Sequence, residues 1–225
     1  MAKRLNSPMK NSILRSLHIA VSSALLITAS SVSAQSLTLY KAQSAGSSVK
    51  IDGSSTIHNW TVEGKIIGGQ FELDPAFAVT GTPAAGKVNA KAKATIPVRS
   101  LKSGKATMDD VMQEHMKAKE FPKIEYELLG MNLKEAPKSA TDALVFDSQG
   151  KLTISGVTRT NAMVVTCDRT EASKLKFKSV ANLKMTDYGI SPPAPNIALG
   201  LIKTGDDVKV TLEWVTSIPK PDGDK

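Results

Sequence analysis

The stretch KLKFKSVANLKM, residues 174–185, decides the fold. Leu175, Phe177, Ala181, Leu183 and Met185 share one parity, while Lys174, Lys176, Lys178, Asn182 and Lys184 share the other. A period of two sorts these sets onto opposite faces of an extended chain, whereas a helix would scatter both around its axis. The segment therefore reads as a strand with one dry and one wet face. The same alternation recurs to either side of it. Val208, Val210, Leu212 and Trp214 oppose Lys209, Thr211 and Glu213. Ile124, Tyr126 and Leu128 oppose Lys123, Glu125 and Glu127. In 88–96 (VNAKAKATI), Val88, Ala90, Ala92, Ala94 and Ile96 oppose Asn89, Lys91, Lys93 and Thr95. Further strands are expected at Leu37–Lys41, Val62–Leu73, Lys151–Val157 and Thr160–Thr166, which brings the total to about eight.

One segment departs from this pattern. In Thr107–Lys119 (TMDDVMQEHMKAK), Met108, Val111, Met112 and His115 or Met116 follow helical spacing, with acids early and lysines late, and Pro122 lies beyond the end. The expected fold class is mainly β: many antiparallel strands and one helix. Strands with a single apolar face must turn those faces together, in a barrel or a sandwich. An outer-membrane barrel points its dry face outward; the 4% aromatic content leaves no interfacial girdle, and lysines fill the strands.

The chain begins with Lys3, Arg4, Lys10 and Arg15, followed by an uncharged apolar run from Leu17 to about Ser30 and then Val32-Ser33-Ala34. This order reads as a secretory signal peptide cleaved near Ala34/Gln35, and the run is short and serine-rich for a membrane span. The expectation is a soluble periplasmic protein. Its expected organisation is a leader over 1–34, a flexible lead-in over 35–48, a domain over 49–218 and a flexible tail over 219–225. Pro75–Gly86 and Ser191–Pro195 read as loops. The leader carries four of the basic residues and no acid, so the net charge of +8 falls to +4 after its removal. That charge is spread thinly along strands, not clustered as nucleic-acid binding requires. Cys167 is the single cysteine, which excludes an internal disulfide.

Four stretches together carry a family resemblance: 51–64 (IDGSSTIHNWTVEG), 107–126 (TMDDVMQEHMKAKEFPKIEY), 150–165 (GKLTISGVTRTNAMVV) and 185–190 (MTDYGI). The third, with Gly-Lys-Leu-Thr-Ile-x-Gly-Val-Thr-Arg, is the most specific. In this order and spacing the chain resembles the YceI-like proteins. The resemblance implies an extended antiparallel lipocalin-like β-barrel with a helix, exported to the periplasm, that binds a polyisoprenoid or related amphiphile without catalysis. An isoprenoid-type lipid is the expected partner; transient membrane contact and a homodimer stay open as modes of association.

The residues themselves bear on the ligand independently. Ala90, Ala92 and Ala94 present three small side chains inward in succession, leaving volume for large neighbours or for a ligand. Trp60, Phe177 and Trp214 could fill that volume, which would make the protein a fully packed structural or stress-associated module. In the carrier reading the ligand-contacting interior comprises Trp60, Ala90, Ala92, Ala94, Leu152, Ile154, Leu175, Phe177, Leu183, Val210, Leu212 and Trp214.

Signals for chemistry are weak. His58 and His115 are the histidines outside the leader, and neither has a carboxylate at metal-ligand spacing on a shared helix face, so no metal or cofactor is expected. His58 is expected to bond structurally at a strand end and His115 at the helix–barrel seam. Met108, Met112 and Met116 recur every four residues, which reads as core packing first and as a deformable ligand wall second. Cys167 has no base in sequence reach. Nucleophile elbow, phosphate loop and His-Glu-x-x-His patterns are absent from the sequence, which gives no positive support to an enzyme acting on a quinone-like isoprenoid.

Overall fold

The computed structural model describes residues 36–194 and 202–220, apart from the side chain of Thr170. The expected leader, the outer part of the tail and most of the stretch after Ala194 lie outside the described residues. The strands are β1 (Thr38–Ser55), β2 (Asn59–Gly64), β3 (Gly68–Leu73), β4 (Gly86–Lys87) and β5 (Ala90–Pro97), then β6 (Lys123–Leu133), β7 (Leu144–Ile154), β8 (Val157–Glu171), β9 (Lys174–Lys184) and β10 (Thr204–Ser217). Helix α1 (Ala106–His115) lies between β5 and β6.

All pairings are antiparallel. The order β1–β3–β5–β6–β7–β8–β9–β10 returns to β1, so eight strands close into a barrel while β2 and β4 add to its rim. Alternation then has a physical meaning: residues of one parity fill the interior and the lysine-rich parity faces water. In β9, Leu175 and Phe177 are buried while Lys174 is exposed. On the outer wall Lys176 pairs with Glu213 at 2.6 Å and Lys178 with Asp168 at 2.7 Å.

Three expectations are corrected. Residues 42–48 are not a lead-in but the middle of β1. Polar and small residues there give no alternation because this is a bulge between Gln43 and Ser48, where the register against β10 slips. Gly46 takes φ +82°, and the Ser47 hydroxyl donates to the Gln43 carbonyl at 2.5 Å while accepting from the Val215 N–H at 3.0 Å, replacing a ladder bond with a side-chain one. Secondly, Val62–Leu73 is two strands. Both lie on the same edge of β1, β3 against Thr38–Lys41 and β2 against Val49–Ser54, with the break at Lys65-Ile66-Ile67. Thirdly, the helix ends at His115 rather than 119, and Lys117 follows with φ +52°. β7 and β8 are longer than expected. They meet at a two-residue turn, Ser155-Gly156, with φ +50° and +80°, a geometry that suits the twist of paired strands.

The end of the barrel where β1 begins is packed shut. Tyr40, Phe71, Phe177 and Trp214 form a chain of tilted rings with centroids 4.7–6.2 Å apart. Beyond them lie Leu73, Leu133, Leu144, Phe146, Cys167 and Leu175, all buried. Two loops cross this end, and Arg169 holds them. Only 3% exposed, it donates from Nε to the Asp142 carbonyl at 2.8 Å, from Nη2 to Ser139 at 3.0 Å, and from Nη1 to Val79 at 2.6 Å and to Gly81. A guanidinium suits this task because its planar fork reaches several acceptors at once. Arg169→Ala is expected to cost about 3 kcal/mol, since buried carbonyls lose charge-assisted donors. Arg169→Lys should recover only part of that loss. Equilibrium urea unfolding of the two variants checks this, and equal stability of Arg169→Ala and wild type would remove Arg169 as the clasp.

Candidate functional site

At the other end the strands do not pack together, and the reason lies in how the chain leaves β5. On the free edge of β2, Glu63 and Lys102 exchange two backbone hydrogen bonds of 2.8 Å, so the segment after β5 is drawn alongside β2. This swings α1 across the open end. Asp109, 6% exposed, anchors the first turn: its carboxylate accepts from the Ser103 N–H and hydroxyl, both at 2.7 Å, and lies 3.6 Å from Lys102 Nζ. The last turn is held by the Ser155 hydroxyl, which donates to the Met116 carbonyl at 3.0 Å. His115 Nδ1 lies 2.8 Å from the Ser191 carbonyl in the proline loop.

Between this helix and the aromatic floor lies a cavity of about 600 Å³, within the range that ligand sites occupy. Ten of the twelve interior residues expected from the sequence line it: Trp60, Ala92, Ala94, Leu152, Ile154, Phe177, Leu183, Val210, Leu212 and Trp214. Two do not. Leu175 sits beyond the floor beside a void of about 10 Å³, roughly one water's worth of space. Ala90 pairs with Leu73, one step further toward the closed end than Ala92, which pairs with Phe71. Parity alone could not show where along a strand the floor would fall.

The methionine stripe of the helix both packs against the core and faces this space. Met108, Met112 and Met116 all line the cavity, as do Met131, Met163 and Met185. These six are all the methionines after residue 34. Unbranched thioethers make a wall that reshapes at low cost. Tyr126 and Ser148 also line the space, and inclusion of Tyr126 in the dry parity of β6 was the available signal. Burial pushes the Tyr126 hydroxyl above its ordinary pKa, with Ser148 opposing by a hydrogen bond. Glycines make room for two lining aromatics: a Cβ at Gly53 would lie 2.1 Å from the Trp60 ring and one at Gly150 would lie 2.3 Å from Tyr126. Ile190, Pro193 and Ile202, on the connection between β9 and β10, and Thr204, at the start of β10, complete the mouth, and the connection carries no periodic signal.

Polar groups gather at the mouth. His58, Lys105, Thr107 and His115 line it, and no Asp or Glu is among the described lining residues. His58 Nδ1 lies 3.0 Å from the Asn59 carbonyl in the β1–β2 turn, and His115 lies at the helix seam, as their positions in the sequence suggested. Among the described residues no group of three or more His, Cys, Asp or Glu could hold a metal ion. Burial, with Asp168 adding and Arg169 opposing, pushes the Cys167 thiol up to about 12, so it holds its proton at neutral pH and is a poor nucleophile.

A closed antiparallel barrel with one helix across its mouth and an apolar interior defines a lipocalin-like protein. The YceI-like domain model matches residues 40–216, and the chain belongs to the YceI-like family. Similar solved structures include BcnA of Burkholderia cenocepacia, at TM-score 0.58 and 20% identity, covering 77% of this chain and 98% of that one. A polyisoprenoid binding domain from Saccharophagus degradans, implicated in plant cell wall breakdown, matches at TM-score 0.58 and 14% identity, over 81% and 99% of the two chains. At such identities the likeness concerns the fold. A comparison with curated protein sequences returns no match.

Asp109 gives the helix anchor a pH dependence. Burial would raise its pKa, but the two Ser103 bonds and Lys102 outweigh that and hold it below the usual carboxylate range. A carboxylate with a depressed folded-state pKa stabilises the protein fully above its unfolded value, near 3.9, and loses that contribution as pH falls through the lower folded value. Asp109→Ala is therefore expected to destabilise by about 1–3 kcal/mol at neutral pH, with the deficit shrinking below about pH 4. Thermal unfolding across pH, with hydrogen exchange of residues 106–115, measures it; a deficit unchanged at low pH would remove the charge from the argument.

Proposed function

We propose that this protein is exported to the periplasm and holds a polyisoprenoid, or a comparable long apolar amphiphile, inside its barrel for transport, storage or sequestration, and that it performs no chemistry on that cargo. The observation that carries this reading is about 600 Å³ of space enclosed by apolar side chains, where a structural module would be filled. Ala92 and Ala94 keep β5 thin at mid-barrel, and the methionines give a wall that adapts to a branched chain. Each methylene-sized unit taken from water contributes about 0.8 kcal/mol, so a few isoprene units offset the cost of ordering the chain. The polar end of the cargo would lie among His58, Lys105, Thr107 and His115 at the mouth. The polyisoprenoid binding named for the Saccharophagus degradans relative supports the same class of cargo. Export rests on the order of basic, apolar and small residues in 1–34, with mature protein starting at or near Gln35. Among the described residues no helix is long and apolar enough to cross a membrane.

Ala92→Phe tests the reading, because it places a ring where the cargo would lie. Native mass spectrometry of wild-type protein purified without added lipid should show a retained lipid mass, and the variant should have lost it. The lipid-free melting temperature of Ala92→Phe should hold or rise. A tightly packed core would instead lose about 1–3 kcal/mol to overpacking. A destabilised variant whose parent never carried lipid would end the carrier reading.

A further inference from the structure

An apolar cargo has to enter and leave, and the rim of the mouth carries a feature that packing does not use. Ile57 is 63% exposed, the highest value among the exposed large hydrophobic residues described, and it also lines the cavity entrance. Its exposure is built in. Ser55–His58 is a tight turn in which the Ser55 N–H and hydroxyl donate to the His58 carbonyl at 2.9 and 2.8 Å, and the His58 N–H returns to the Ser55 hydroxyl at 3.2 Å. Below it, Trp60 lies over Gly53 and donates from Nε1 to the Ser54 carbonyl at 3.0 Å. The turn thus presents Ile57 outward on a rigid base.

A cation stands beside this tip, and a second lines the same cavity. Thr56 N–H donates to the Lys203 carbonyl at 2.9 Å and Thr56 Oγ1 accepts from Lys203 N–H at 3.2 Å, which fixes the backbone of Lys203 beside the turn. Lys203 and Lys105 are exposed and form no ion pair with any described residue. Several acids nearby are engaged within the fold. Asp109 is bound by Ser103, Asp206 accepts from the Thr186 N–H and hydroxyl at 2.9 and 2.7 Å, and Asp207 pairs with Lys184 at 2.9 Å. Asp110 and Glu114 stand on α1 outside the cavity lining.

An exposed apolar tip beside Lys203, at the entrance of a cavity that Lys105 also lines and that has no acidic residue among its described lining, matches an anionic lipid surface. We infer that the barrel docks mouth-down on a bilayer carrying anionic headgroups, with Ile57 entering the interface and Lys105 and Lys203 against the headgroups. The inference rests on the carrier reading for its purpose: docking lets a chain pass between bilayer and barrel without meeting water, an exposure whose cost grows with every methylene. Apolar insertion and lysine attraction are the two terms by which peripheral proteins hold to such surfaces, and the second weakens with salt.

Flotation with phosphatidylcholine vesicles, and with vesicles of equimolar phosphatidylcholine and phosphatidylglycerol, tests it. Wild-type protein should float with the anionic vesicles, release as salt rises, and stay off the neutral ones. Lys203→Glu should weaken recovery at least about fivefold, and Ile57→Asp at least about tenfold, each with an unchanged melting temperature. Val164→Asp, on the barrel wall, should float as wild type. Ala92→Phe should also float, since docking uses the rim; if it stays folded but does not float, recovery reports lipid uptake and the docking inference falls. It falls equally if wild type ignores anionic vesicles, or if Ile57→Asp and Lys203→Glu float normally. A protein that floats in this pattern yet never retains a lipid mass would sink the carrier reading alone.

Discussion

Closure of β10 onto β1 is the constraint on which the rest depends. The register from Ser48 opposite Glu213 to Gly53 opposite Val208 turns a sheet with two edges into a ring with an inside. Until that seam forms, the dry faces of β5, β9 and β10 have only each other, and the edge strands expose unpaired N–H and C=O groups. The seam is also irregular, since the Ser47 bulge lets one long strand serve β10 along one edge and both β2 and β3 along the other. Bending β1 at that point allows β2 to leave the ring at the mouth while β3 stays in it.

The departure of β2 makes the two ends of the interior different. At the floor, ring meets ring across the barrel, and Arg169 ties down the loops outside. At the mouth, the gap beside β2 is spanned by the chain around Lys102 and by α1, a cylinder too wide to interdigitate with strands. Met108, Met112 and Met116 line the space between it and the opposite wall. The cavity is therefore a consequence of topology as much as of small residues: alanines at 92, 94 and 181 keep the walls thin, and the helix stands off from them.

Electrostatics divides along the same lines. Ion pairs such as Lys176–Glu213 and Lys178–Asp168 lie on the outer wall, where water screens them and their individual contributions are small. Inside, the described lining carries no carboxylate, and two of its serine hydroxyls are turned onto the backbone: Ser148 donates to the Met163 carbonyl at 3.0 Å and Ser179 to the Val164 carbonyl at 2.9 Å. Such bonds let a polar residue face a dry cavity without leaving a donor unpaired. The acid that matters most for the site, Asp109, serves to hold the lid in place.

By itself the sequence determined which face of each strand is dry, because period-two alternation is a local property written into residues such as Leu183 and Lys184. It also determined that one segment would be helical, and the ordered stretches from 51 to 190 pointed to the family. It did not determine how far along a strand the core ends. Leu175 and Leu183 share a face, yet one lies under the floor and the other lines the cavity. Nor could it recognise β1 through the polar 42–48, where side-chain and bulge bonds replace a hydrophobic signal. The role of the methionine stripe was likewise undecided, since helical spacing shows only that Met108, Met112 and Met116 share a side. Tertiary structure decided that this side faces open space, because contacts set by barrel closure hold α1 at both ends and fix its distance from the opposite wall.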